Sequence, residues 1–234
     1  PSFIGVVLVA VVVIMSIVVV PQFKAMFDDL GAELPLITRM VVAVSNAMIN
    51  FWWLILIVIV AGILVFRGWS TTDTGRMVLG KLALKVPVFG DLNTKTECAS
   101  YARTMATLTG SGLSLPRSLE ITSSSLSNEV YKVAALHAKE SVEGGALLSQ
   151  GMDESGAFPQ MVVDMVRVGE ETGNLYDMLT KIAEYYEEES EMTAATLTAA
   201  MEPAIIVAMG IVVGFVVLAL YTPMISYYQN MSSL

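Results

Sequence analysis

The chain has 234 residues, with 13 Lys and Arg against 22 Asp and Glu, a net charge of −9, and 55% hydrophobic residues. Its mean hydropathy of +0.66 exceeds what a soluble domain of this size needs. The acidic balance excludes nucleic acid as a partner, because phosphate binding needs concentrated positive charge.

Three charge-free apolar runs, Phe3–Val20, Phe51–Phe66 and Pro203–Tyr221, frame one charged stretch. A helix needs roughly 20 apolar residues to cross a hydrocarbon core. The middle run is the shortest, and Trp52, Trp53, Arg67 and Trp69 at its ends can sit at the interface. The first run lacks a basic leader and a small-residue cleavage site before Pro21, so it reads as a span. Residues 67–202 hold 11 of the 13 basic residues, which places them inside. The layout predicts an all-α protein with transmembrane helices at 1–21, 49–67 and 202–222. One cytoplasmic helical bundle of about six helices is expected at 68–201. The loop 22–48 and the tail 223–234 are expected on the extracytoplasmic (periplasmic) side.

Within 21–50, Phe23, Met26, Phe27 and Leu30 recur at helical spacing and Gly31 stops them. Past the second run a helix is expected at 74–84, then a turn over Val86–Asp91, then a helix at 92–109 broken by Gly110-Ser111-Gly112. Ser114 is placed to cap a third helix with Pro116 in its first turn. Asn128 starts a fourth, to about Val142. Gly144-Gly145 interrupts, a short helix follows near 146–151, and Phe158-Pro159 opens another at 160–171. Gly173 caps that one. The last helix buries Leu175, Met178, Leu179, Ile182 and Tyr186 and continues as a stalk toward Glu202-Pro203.

Catalytic, cofactor and metal residues are not apparent. Gly80-Lys81-Leu82 lacks the remainder of a phosphate-binding loop, and His137 has no partner at a suitable spacing. The apolar runs contain no ionisable group that could relay protons or hold ions. Cys98 reads as a small buried apolar residue. The acidic run Glu184, Glu187, Glu188, Glu189 and Glu191 reads as a solvated face or a dock for a basic partner. Arg67, Arg76, Lys81, Lys85, Lys95 and Arg103 cluster at the start of the domain, where topology and lipid headgroups account for most of them and contact with a partner is the lesser reading. Gly210 and Gly214, four apart in the third run, form a groove for helix packing.

Phe158-Pro159, Met161-Val162 and Val168-Gly169-Glu170-Glu171-Thr172-Gly173-Asn174-Leu175 together resemble a signature of the bacterial type II secretion F-protein family. Tyr101–Leu108 with Gly110-Ser111-Gly112-Leu113-Ser114-Leu115 resembles that family's opening cytoplasmic helix and turn. Met201-Glu202-Pro203 and Tyr221-Thr222-Pro223-Met224 resemble the two ends of its last span. Val20-Pro21-Gln22-Phe23 and Gly31–Arg39 resemble the outer loop, in the pilus branch more than the secretion branch. Members usually carry a second, related cytoplasmic domain ahead of the first span, and roles assigned to it have no positions in this sequence.

The resemblance implies a non-enzymatic platform in the bacterial inner membrane, without cofactors. It implies a hexameric assembly ATPase, pilins and other inner-membrane alignment proteins as partners, and a homo-oligomer, with a dimer expected. Arg103, Glu170 and Glu171 are the candidate ATPase-facing residues. Gly110, Gly112, Pro159, Gly169, Gly173, Glu202 and Pro203 are the structural motif positions.

Overall fold

The computed structural model describes the chain from Trp53 to Met231, apart from Ile55, Ile59 and Val88. The expectations for 1–21, 22–48 and the start of 49–67 lie outside the described residues. Helical residues Leu56–Ser70 come first. Seven helices follow: α1 Asp73–Lys85, α2 Phe89–Gly110, α3 Leu115–Ser125, α4 Glu129–Glu143, α5 Leu148–Ser155, α6 Gln160–Thr172 and α7 Leu175–Met231. No strand occurs among the described residues, so they are all-α as expected.

Residues Phe66–Thr198 make one compact unit. Its consecutive helices α2 to α6 pack each on the next, and α1 packs on both α2 and α4. Their inward residues build one core. α2 supplies Cys98, Tyr101, Ala102 and Met105; α4 supplies Tyr131, Ala134, Ala135 and Ala138; α7 supplies Leu179, Ile182 and Tyr186. The alanines let α4 lie close to its neighbours, and the aromatic rings fill the space that remains. Phe158, in the loop before α6, sits between the rings of Tyr101 and Tyr131, at centroid distances of 4.8 and 5.4 Å. Offset and edge-on rings at such separations attract beyond their buried area.

Punctuation residues end the helices as their chemistry requires. After α6, Gly173 takes φ +71°, its N–H donates to Glu170 O, and Asn174 N–H donates to Gly169 O at 2.8 Å. This reciprocal pair satisfies carbonyls that the helix end would orphan. Gly112 after α2 and Gly145 after α4 close in the same way. Gly110 serves a different need: a Cβ there would stand 2.7 Å from the Tyr176 ring, so the absent side chain lets α7 approach α2.

Two boundaries differ from expectation. α2 starts at Phe89, not 92, because Gly90 N–H donates to Val86 O and turns the Pro87 bend straight into helix. α5 covers Leu148–Ser155, not 146–151, because Leu147 is extended and acts as the N-cap residue. Ser114 does stand at the N-cap of α3, but its side chain makes no capping bond.

The remaining described residues, 53–65 and 199–231, are helical. They leave Ile57, Val58, Leu64, Val65, Ile206, Val207 and Ile211 exposed. α7 runs unbroken through Pro203 and Pro223. Among the described residues it is the one helix that by itself is long and apolar enough to cross a membrane, with an 18-residue window of mean hydropathy 1.6. Placing Ala at Gly173 forces a Cβ into left-handed backbone, at a cost of roughly 1–2 kcal/mol. Denaturant unfolding of Gly173→Ala in detergent should show a loss of that size, and an unchanged midpoint would refute this account of the α6 terminus.

Candidate functional site

Helix N-termini leave N–H groups without partners, and short connections leave few local residues to supply them. Two glutamates from distant helices fill this gap. Glu170, on the last turn of α6, accepts from Leu148 N–H at 2.6 Å and from Ser149 N–H at 2.9 Å. Both donors lie at the start of α5, and both residues are buried. A carboxylate on a helix N-terminus also meets the positive end of the helix dipole.

Glu97 does the same from α2. It accepts from Asn128 N–H at 2.9 Å and Ser127 N–H at 3.3 Å, just before α4. Asn128 then extends the joint. Its Oδ1 accepts from Val130 N–H, and its Nδ2 donates to Gly80 O on α1 and to Asn93 Oδ1 on α2. Three helices meet at this one side chain. A cleft of about 440 Å³ opens beside it, lined by Arg76, Leu79, Asn93, Glu97, Asn128 and Lys132. Burial raises the Glu97 carboxyl above its usual range, and the Asn128 and Ser127 amides pull it back.

The acidic run on α7 is partly neutralised within the bundle. Arg103 donates to Glu187 through Nε at 2.8 Å and Nη2 at 2.6 Å. Lys95 reaches Glu189 and Asp91, each at 2.9 Å, and donates to the Thr193 hydroxyl. The paired Arg103 holds Glu187 below the usual carboxylate range. Glu184, Glu188 and Glu191 stay exposed.

Of the expected partner-facing residues, Glu171 is exposed, Arg103 is tied to Glu187, and Glu170 is tied to α5. Gly169 is buried against Met178. Pro159 holds the N-cap position of α6. Glu202 and Pro203 lie within α7. Beyond the adjoining turns of α7 itself, no described atom lies within 4 Å of where a Cβ would stand on Gly210 or Gly214. Cys98 is fully buried, and burial pushes its thiol up to about 12. His137 is exposed, with Nδ1 3.3 Å from Gly151 O. Among the described residues no group of three or more His, Cys, Asp and Glu is placed to hold a metal. Glu97 escaped the sequence reading. Its signal was a carboxylate directly beside Cys98 on the inward side of α2.

The described residues thus define a helical bundle, stitched by carboxylates, whose last helix continues as a long apolar one. A family model described as Type II secretion system (T2SS), protein F, matches residues 101–223, and the chain belongs to that family. The match begins at Tyr101 and ends at Pro223, between two of the motifs that carried the resemblance. Type IV pilus assembly protein PilC of Thermus thermophilus is 39% identical over 92% of this chain and 53% of its own length. The PilC of Pseudomonas aeruginosa is 39% identical over 94% of this chain and 60% of its own. Type II secretion system protein F of Aeromonas hydrophila is 31% identical over 100% of this chain and 60% of its own. The chain therefore spans a little over half the length of these relatives.

Glu97 carries a testable sign. Its folded-state carboxyl is raised, so its contribution to stability is full below the usual value near 4.5 and is lost as pH rises through the folded value. Glu187 acts oppositely, losing its contribution as pH falls. Denaturation midpoints measured from acid to neutral pH should show that Glu97→Gln removes a component that falls with rising pH. Parallel wild-type and variant curves would contradict the assignment.

Proposed function

We propose that this chain is part of an inner-membrane platform protein of a type IV pilus assembly machine. The observation that carries this reading is the 39% identity to two pilus assembly proteins over more than nine-tenths of the chain. Residues 68–201 form its cytoplasmic domain. The spans are 1–21, 49–67 and 202–222, with 22–48 and 223–234 on the periplasmic side. The exposed aliphatic side chains of α7 support a bilayer as their cover, since water would leave them unpaid by any packing. The role is mechanical and non-enzymatic. The domain engages a hexameric ATPase, and the charge-free spans leave pilin helices an apolar surface to slide past. One continuous helix, α7, carries both the inward stripe of the bundle and the third apolar run, which supports a mechanical link. Gly210 and Gly214, open in this structure, suit a second copy of the chain.

Arg103, Glu170 and Glu171 are proposed to face the ATPase. Glu171 is free to do so directly, whereas Arg103 and Glu170 must exchange internal partners. The second reading, the equivalent platform of a type II secretion system, draws support from the Aeromonas hydrophila relative, which covers the whole chain.

Deleting the gene should abolish surface pilin while pilin accumulates in the membrane, and complementation should restore fibres. Fibres that persist, with lost secretion of folded exoproteins, would favour the secretion reading. In the complemented strain, Glu170→Gln that alters neither piliation nor ATPase co-purification would remove Glu170 from the contact.

A further inference from the structure

Six basic residues cluster at the start of the domain, and the structure sorts them into two groups. Lys95 and Arg103 are spent on Glu189 and Glu187 across the bundle. Arg67, Arg76, Lys81 and Lys85 make no salt bridge with any described residue.

The second group lies on or beside α1. This helix buries Gly75 and Gly80 and half-buries Leu79, Ala83 and Leu84. Its outward side carries Val78 and Leu82, 45% and 56% exposed, alternating with Lys81 and Lys85. Past the end of α1, Val86 and Phe89 are also exposed and line a groove with Ala83, Leu92 and Thr96. Two aliphatic side chains one turn apart, beside ammonium groups that make no salt bridge, match the chemistry of a lipid–water boundary.

The position of α1 in the chain adds a second observation. Only Thr71 and Thr72 separate it from the apolar helix Leu56–Ser70. The joint is tight. Thr72 donates to Trp69 O through both its N–H and its hydroxyl, and Gly75 lies so close to that carbonyl that no Cβ would fit. Trp69 and Phe66 are themselves largely exposed there.

We propose that the outward face of α1 binds anionic lipid headgroups of the bilayer that its preceding helix enters. The inference rests on the membrane reading above and goes beyond it, because it assigns a lipid class and named residues. Val78 and Leu82 dip toward the acyl boundary. The stems of Lys81 and Lys85 lie along them, with the ammonium groups on phosphates. Each lysine contributes about fivefold in partition to an anionic surface.

The test places an environment-sensitive fluorophore on Leu82→Cys in the full chain. Buried Cys98, its thiolate disfavoured, stays unlabelled. The chain is reconstituted in vesicles of phosphatidylcholine, with and without phosphatidylglycerol. The expected result is blue-shifted emission, quenched by brominated acyl chains, in the anionic vesicles, and a weaker shift in the neutral ones. Lys81→Glu with Lys85→Glu should abolish the difference. All three positions point outward, so the fold is retained. If the chain floats with vesicles but the probe stays aqueous in both lipids, the surface is overturned while the membrane reading stands. If the chain does not float, both fall. A shift that appears in detergent and grows with protein concentration would mean protein contact instead, and would also overturn it.

Discussion

A carboxylate set on a foreign helix N-terminus is the contact on which this bundle depends. α4 and α5 follow short connections, and around each start two backbone amides, Ser127 and Asn128 before α4 and Leu148 and Ser149 in α5, find their acceptor on another helix. Glu97 on α2 and Glu170 on α6 satisfy them, each with both oxygens. A buried amide left without an acceptor costs roughly 1–3 kcal/mol. A whole domain is stable by only about 5–15 kcal/mol. Three of the four donors belong to buried residues, Asn128, Leu148 and Ser149, so the two joints are a large share of what keeps this fold unique. They also set geometry. Glu97 fixes α2 to the start of α4, Asn128 brings α1 to the same point, and Glu170 fixes α6 to α5.

The visible ion pairs matter less. Arg103–Glu187 and Lys95–Glu189 are near the surface, where such pairs contribute about 0–1 kcal/mol. Their effect is to orient α7 against α2 and to draw two carboxylates out of the acidic run. Arg76, Lys81 and Lys85 stay exposed on α1, and Glu184, Glu188 and Glu191 stay exposed on α7. Residue types that looked alike in sequence thus take different work, according to what lies across from them.

Helix order was legible because glycine and proline mark it. Gly112, Gly145 and Gly173 all adopt the left-handed backbone that their positions in the pattern suggest. The apolar stripe of α7 was legible from its spacing. What stayed hidden depends on contacts between residues far apart in sequence. α5 starts late because Glu170, 22 residues on, reaches Leu148. The signature around Glu170 was conspicuous, but its partner is a backbone N–H that carries no sequence mark. Glu97 was missed for the same reason, and Lys95 and Arg103 were indistinguishable from Lys81 and Lys85 until α7 was seen beside them. Family membership was legible because several motifs fall in order along the chain.

A bundle locked this way can act as one solid body. Glu170 lies within the stretch Val168–Leu175 that carries the family resemblance. The most direct measurement is hydrogen exchange at the Leu148 and Ser149 amides in wild type and Glu170→Gln. The account predicts a marked loss of protection confined to the start of α5 and the end of α6, with α2 to α4 nearly unchanged. Equal protection in both proteins would contradict the claim that this carboxylate fixes α6 to the start of α5.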